Sequence, residues 1–382
     1  MKRRLALAAF LLLWSDVGYG LDLYRSEDVS FTLQGYYKNL FFSSRRRATD
    51  EAFVADLNRL RTDWRVRIKD ILTVRALWDN EVIGGGFVDT EEFAARETLR
   101  NDPVPDMEYE IVRRKGFFYG QNFYRATAEI DPGFFKLTLG RQKIDWGIMR
   151  LLSPADLFTP LSLFDVEKGE KVGVTAANLS LPIASFRFNP VFAFDPDWDK
   201  TRLGGRMTRT AGRFDLSLFG GKFLKDRVVG FDFSGDVQKM GLRGEFLFDA
   251  TTLSPNFVQG ALGVDYGFEN SLTLALEYFF NGQGGTGLLP GGALRTTANQ
   301  IKSMHRNFLS FLIKYDITPL WSVSLQQVTD MTGGSFFISP ETRTSFFSWM
   351  ELVAGADFPV GRTGGEFTAV PNIYHLQTQF FF

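Results

Sequence analysis

The chain has 382 residues, 45% hydrophobic and 15% aromatic, and its 43 basic and 44 acidic residues leave a formal charge of −1. That balance argues against nucleic-acid binding, and a mean hydropathy of −0.08 is far too low for a bundle of membrane helices. The absence of cysteine and the presence of only two histidines, His305 and His375, exclude disulfides, thiolate metal sites, iron–sulfur clusters and C-x-x-C-H haem attachment, so no metal or cofactor is expected.

The first element is a secretory signal. Lys2, Arg3 and Arg4 form a basic start, Leu5 to Trp14 an apolar run, and Gly18 and Gly20 place small residues at −3 and −1 of a cut before Leu21. An apolar run of that length is too short to cross a bilayer as a helix, which takes roughly 20 residues. Residues 1–20 are therefore expected to be a signal peptide and 21–382 one domain.

From there the hydrophobic period is two. Trp64, Val66 and Ile68 alternate with Arg65, Arg67 and Lys69; Leu272, Leu274, Leu276, Tyr278 and Phe280 alternate with Thr273 and Glu277. Asn80–Gly116 reads as a long connection carrying a short, solvated helix around Glu91–Glu97. In the last segment, Tyr374, Leu376, Thr378, Phe380 and Phe382 share one face, and His375, Gln377 and Gln379 the other. A soluble sandwich would show the same alternation. The signal peptide, the terminal Phe382, the strand count and the 40 phenylalanines, which suit a lipid-facing wall with aromatic girdles, favour a barrel.

Connections alternate between short turns (Lys69-Asp70, Asp131–Gly133, Leu181-Pro182, Thr210–Gly212, Phe268–Asn270, Thr318-Pro319) and long loops (Asn80–Gly116, Asp145–Lys171, Asn281–His305, Asp357–Pro371). Tracing between them gives an all-β, transmembrane, antiparallel up-and-down barrel of about 18 strands, with 16 as the alternative. The loop Asp145–Lys171 carries Leu151, Leu152, Leu157, Phe158, Leu161, Leu163 and Phe164, more apolar side chains than a free external loop needs. It is expected to fold into the lumen; the rival expectation is an extracellular partner site.

Candidate pore-lining residues follow from the face opposite the apolar one: Arg65, Arg67, Arg75, Arg125, Lys136, Arg141, Arg206 and Arg243, with Asp145, Trp146 and Asp156 on the inward loop. Basic groups outnumber acids on these faces, which favours anions through the local potential. No catalytic residue is assigned, because no G-x-S-x-G, phosphate loop or H-E-x-x-H occurs.

The run Gly140-Arg141-Gln142-Lys143-Ile144-Asp145-Trp146-Gly147, followed by Ser153-Pro154-Ala155-Asp156-Leu157-Phe158-Thr159-Pro160, resembles a hairpin of largely uncharacterised proteobacterial outer-membrane barrels, distant relatives of the alginate-export and phosphate-selective porins. Leu325–Pro340, with Thr329-Asp330 and Thr332-Gly333 between two strands, is similar too, so the resemblance covers about 200 residues in patches. It implies a Gram-negative outer-membrane barrel whose terminal strand, with Tyr374, Leu376, Phe380 and Phe382, is read by the barrel assembly machinery. The expected function is a porin for passive diffusion of small hydrophilic, anionic solutes. The alternative is the outer-membrane component of an export or porin–cytochrome complex with a periplasmic or extracellular protein partner. Lipid bilayer and lipopolysaccharide are the expected surroundings, and a monomer is preferred over a trimer.

Overall fold

The computed structural model describes residues 20–45, 51–100, 104–159, 170–171, 173–252, 255–285, 303–362, 364–368 and 370–382. The expected signal peptide, apart from Gly20, lies outside them. Twenty strands run through the described residues: β1 (Leu21–Arg25), β2 (Val29–Arg45), β3 (Ala52–Ile68), β4 (Leu72–Gly84), β5 (Glu108–Arg114), β6 (Phe117–Ile130), β7 (Lys136–Gln142), β8 (Val174–Ile183), β9 (Phe186–Ala193), β10 (Arg202–Ala211), β11 (Phe214–Phe223), β12 (Asp226–Val237), β13 (Met240–Ala250), β14 (Phe257–Gly267), β15 (Leu272–Asn281), β16 (Asn307–Thr318), β17 (Trp321–Asp330), β18 (Ser335–Phe347), β19 (Met350–Gly361) and β20 (Asn372–Phe381). A 3-10 turn, Gly86–Asp89, and one helix, α1 (Glu91–Arg100), follow β4.

All twenty belong to one sheet, and consecutive strands pair antiparallel, except that β4 passes over β5 to pair with β6. β2 pairs with β20 from Tyr36↔Phe381 to Arg45↔Asn372, which closes the cylinder. Two strands do not span it. β1 lies beside Ser30–Leu33 of β2, where β20 has already ended. β5 lies beside Phe117–Asn122 of β6, beyond the last β6–β7 pair at Ala126↔Arg141. The remaining 18 form the expected up-and-down barrel. Closure gives each of these 18 strands a neighbour on both sides, the arrangement in which a barrel wall has no free edge, while β1 and β5 each pair on one side.

Two expected boundaries move. The reversal between β8 and β9 falls at Ala184-Ser185, where Ala184 takes the positive φ of 52° that a tight hairpin needs. Leu181-Pro182 stays inside β8 opposite Phe188 and Arg187, because proline's fixed φ of about −65° suits extended backbone. β4 runs on through Asp79-Asn80-Glu81 to Gly84, so the first long loop begins later than its turn-like composition suggests.

β3 shows how the wall is built. Val54, Leu60, Trp64 and Ile68 point outward and are exposed, while the alternate positions face the lumen. From the loop end these are Phe53, Ala55 and Leu57, then Arg59 and Arg61, then Asp63, Arg65 and Arg67. The lumen is therefore apolar near the loops and polar near the turns. The apolar end is filled from inside. Phe87, Val88 and Phe93, from the 3-10 turn and α1, pack on Leu40, Phe42, Phe53, Leu57, Ile83 and Phe118. Helix α1 is thus not the solvated surface helix that its charges suggest: Phe93 is fully buried, and Thr90 caps the helix by accepting its N–H at 3.2 Å.

The closing seam depends on a glycine. Gly35 and Phe382 exchange two backbone hydrogen bonds, of 2.8 and 3.0 Å. A Cβ at Gly35 would sit 2.4 Å from the Arg61 carbonyl and 2.7 Å from the Phe382 ring. Gly35→Val is expected to lower the yield of heat-modifiable barrel on semi-native gels, through roughly 1–3 kcal/mol of overpacking. Gly84→Ala, where a Cβ meets nothing within 4 Å, should leave the yield unchanged.

Candidate constriction and its inward loop

The segment Ile144–Thr159 leaves β7 and lies against the inside of the wall. Ile144, Trp146, Leu157 and Phe158 pack on Ala176, Val191, Phe219, Phe223, Val228 and Leu247, contributed by β8, β9, β11, β12 and β13. Trp146 meets Phe158 edge-on at 4.9 Å. Further along, Met149, Leu151 and Leu152 pack on Ala261, Phe279, Phe308, Val328, Phe337 and Phe367. Each large apolar side chain taken out of water contributes about 1.5–3 kcal/mol, which is why the loop goes inward.

Polar pins fix its height. The buried Glu245 carboxylate accepts the N–H groups of Ile148, Met149 and Ala155 at 2.5, 3.0 and 2.9 Å, and the Ser153 hydroxyl at 2.7 Å. Glu277 accepts Arg150 N–H and Leu151 N–H at 2.9 and 3.2 Å. In the other direction, Arg206 and Arg243 donate to the carbonyls of Trp146 and Ile148 at 2.6 and 3.3 Å. Every one of these wall groups meets the opposite end of a loop peptide dipole. Gly147 allows the tight fold, since a Cβ there would lie 2.2 Å from the Ser153 hydroxyl.

The loop's return arm reaches the opposite wall. Lys171 Nζ clasps Asp145 at 2.9 Å and Asp156 at 2.7 Å, and its carbonyl accepts Tyr124 Oη and Arg125 Nη2 at 2.9 and 2.6 Å. The preceding Glu170 carboxylate accepts Tyr36 Oη at 3.2 Å and Arg61 Nη1 at 3.1 and 3.0 Å. Arg61 also pairs bidentately with the fully buried Asp79, at 2.6 and 2.7 Å, and stacks on Tyr124 at 3.7 Å from the ring centre. Beside it, Arg59 donates to Glu81 at 2.5 Å, and Arg96 of α1 reaches the same carboxylate at 2.9 Å. These pairs follow from register: Arg61 lies opposite Asp79, and Arg59 opposite Glu81.

The structure sorts the eleven residues expected to line the pore into three places. Arg125, Arg141, Asp145 and Asp156 gather near the base of the loop, where Arg141 is buried 3.4 Å from Glu108. Arg206 and Arg243 hold the loop and also pair with Asp232 and Asp265, and Trp146 lies in the apolar cluster beneath it. Arg65, Arg67, Arg75 and Lys136 lie toward the turns, away from the narrowing. There Arg75 is bidentate to Asp63 at 2.8 and 2.6 Å, and Lys136 meets Glu129 at 2.9 Å. Many lumen cations are thus locally compensated.

Sequence reasoning missed Tyr36, Lys38, Arg59, Asp79, Glu81, Tyr124 and Glu170. For Asp79 and Glu81 a signal existed: they continue the inward parity of Arg75 and Leu77. The four assembly-signal residues are on β20 or just after it, with Tyr374 and Leu376 exposed on the outer face. Of the histidines, His305 is fully buried with Nδ1 2.5 Å from Asp330, and Glu366 accepts its N–H, joining three loop-end segments.

The Lys171 clasp titrates. Burial raises the Asp145 pKa, but the ammonium groups of Lys143 and Lys171 outweigh it and hold this carboxyl below its ordinary value of 3.8. A depressed carboxyl contributes stability above that value and loses it as the pH falls through the lower, folded-state value. Acidification below about pH 4 should increase current flicker in bilayer recordings. Asp145→Asn should remove that part of the acid response.

No protein-family model matches the chain, and no curated protein matches its sequence. Its fold matches several crystal structures at about one residue in ten identical. Pseudomonas aeruginosa OccK5 (OpdH) superimposes with a TM-score of 0.58 at 10% identity, covering 93% of this chain and 98% of that one. Acinetobacter baumannii OccAB4 gives 0.56 at 10% identity, covering 94% and 98%. Pseudomonas aeruginosa OccK11 (OpdR) gives 0.53 at 10% identity, covering 92% and 95%. The shared feature is the fold, that of Occ/OprD outer-membrane porins.

Proposed function

We propose that the protein is an outer-membrane channel that passes small hydrophilic, anionic solutes by passive diffusion. The observation that carries this reading is a closed 18-strand wall, polar inside near the turns and narrowed from two sides near the loops. A barrel of this strand number leaves an aqueous lumen unless it is plugged. An inward loop pinned to the wall sets a fixed aperture, and no step of bond chemistry is required. The outward residues, among them Leu216, Leu218, Phe246, Phe248, Leu262, Leu276 and Tyr278, suit contact with acyl chains. Secretion by the signal peptide, insertion by the barrel assembly machinery through the β20 face, and a lipopolysaccharide-containing outer leaflet complete the reading.

Anion preference is supported by the narrowing, where Lys38, Arg59, Arg61, Arg125 and Arg141 face the wall carboxylates Asp79, Glu81 and Glu108. With Asp145, Asp156 and Glu170, and with Arg96, Lys143 and Lys171, the groups named there come to eight cations against six acids, a modest positive excess where the path is tightest. The test is conductance and reversal potential of the purified barrel in a planar bilayer under a salt gradient. Ohmic steps with an anionic reversal potential are expected. A cationic reversal potential would overturn the selectivity, and silence from a folded barrel would overturn the channel.

A further inference from the structure

The outward face of β11–β15 carries a groove whose floor is a glycine. In the cross-strand row Phe231, Phe246, Gly260 and Phe280, every position but Gly260 projects a ring. Val229, Phe248 and Val258 form the row above, toward the loops, and Leu262 and Tyr278 lie in the row below. The space they enclose measures about 540 Å³. A Cβ at Gly260 would meet the Phe246 ring at 3.4 Å, an ordinary contact, so the sequence leaves open a space that a side chain could fill.

Two rows above this floor, Arg227 leaves the same face, directly opposite Lys222 of β11. Lys222 donates to the carbonyls of Trp198, Thr201 and Leu224, which fix its ammonium without neutralising it. The loop between β9 and β10 adds Lys200 and three acids. Asp199 pairs with Lys225 at 3.2 Å, while Asp195 and Asp197 accept N–H groups of their own loop. Asp226, next to Arg227, alternates to the inner face and is buried. Among the described residues Arg227 is exposed and makes no ion pair. Like charges directly opposite one another destabilise a sheet unless an anion lies between them.

We propose that Arg227, Lys222 and the groove over Gly260 bind one molecule of lipid A, the phosphorylated and acylated anchor of lipopolysaccharide. A phosphate lies on the two cations and an acyl chain against Gly260. Arg227 supplies the N–H donors, and Lys222, whose own are taken, supplies charge. Inside a bilayer every tail is as apolar as the wall, so close packing and headgroup charge decide which lipid stays. From the Arg227 row to Gly260 is about 13 Å along the strands, within the roughly 15 Å of one hydrocarbon leaflet. A second copy docked symmetrically here would bring like charges together. The groove also backs onto the inward loop's pins: Phe246 lies between Glu245 and Leu247, and Tyr278 between Glu277 and Phe279. The lipid therefore packs on the outside of the stretch of wall whose inside holds the loop.

This inference rests on the outer-membrane reading and not on conduction. Unaltered mature barrel, Arg227→Glu and Gly260→Leu are refolded in detergent and checked for heat-modifiability. Native mass spectrometry then follows the retention of diphosphoryl lipid A and, separately, of phosphatidylglycerol. The unaltered barrel should keep one lipid A at collision energies that strip phosphatidylglycerol. Each variant should hold lipid A on the order of tenfold more weakly. Arg227 is exposed, so Arg227→Glu carries the test should Gly260→Leu fail to assemble. Lipid A held equally by Arg227→Glu and the unaltered barrel would overturn the site and leave the channel intact. Phosphatidylglycerol held as firmly as lipid A would overturn the choice of lipid. A barrel silent in bilayers that still loses lipid A on Arg227→Glu would support the site and overturn the channel.

Discussion

Replacing Glu245 with alanine should raise single-channel conductance by roughly twofold or more and make the current noisy, because it releases the inward loop. Glu245 is fully buried and alone accepts three loop N–H groups and one hydroxyl. Each N–H left buried without an acceptor costs about 1–3 kcal/mol, so the loop's relief is to leave the wall and hydrate. The apolar cluster around Trp146 and Phe158 opposes that, as do Glu277, Arg206 and Arg243, so release is partial and appears as fluctuation. Glu277→Ala frees only two N–H groups and should produce a smaller step in the same direction. Single-channel recording in one molar salt checks both. An unchanged, quiet Glu245→Ala channel would mean that the apolar contacts and the remaining pins hold the loop without Glu245.

Arg61→Ala should both destabilise the barrel and weaken its anion preference. It removes the bidentate partner of Asp79, which has no exposed surface, and leaves that carboxylate the longer contact with Arg59 at 3.6 Å. Breaking a buried pair from one side costs about 3–5 kcal/mol, and loss of the Tyr124 stack adds roughly 1 kcal/mol. The Arg61→Met, Asp79→Leu double variant removes both charges in similar volume and should recover most of the stability. It should not recover the native potential, because Glu170 then loses its closest cation, Arg61 at 3.0 Å, and keeps Lys38 and Arg59 at 3.7 and 3.8 Å. Unfolding in urea reads the first effect and reversal potential the second. A double variant as unstable as the single would show that the pair stabilises the wall outright.

The outer surface was legible because it obeys one rule along its whole height. Tyr374 and Leu376 of β20 and Leu60 and Trp64 of β3 point outward wherever the period places them. The inner surface obeys two rules. Near the turns it is polar, as alternation predicts. Near the loops it is apolar, because α1 and the inward loop press on it. Phenylalanine doublets mark that change: in Phe41-Phe42 and Phe117-Phe118 the first ring is exposed outside and the second buried inside. A doublet breaks strict alternation, so it reads as noise until a second packing partner is known. The inward course of Ile144–Thr159 was legible from Leu151, Leu152, Leu157 and Phe158, whereas Leu161, Leu163 and Phe164 lie outside the described residues. The partners of Glu170 were not, since Tyr36 lies 134 residues away and only the landing point of the loop brings them together.

The way β1 and β20 divide the edge of β2 bears on how the molecule is completed. β1 is next to β2 in the chain and covers only Ser30 to Leu33; Tyr36 to Arg45 are covered by the last strand of all. Until that strand arrives, the growing sheet exposes ten residues of unpaired backbone, flanked by the apolar rings of Tyr37 and Phe41. Such an edge is a template for any extended peptide. A chain stopped before Asn372 would be sticky as well as incomplete, so that edge of β2 needs covering until β20 is available.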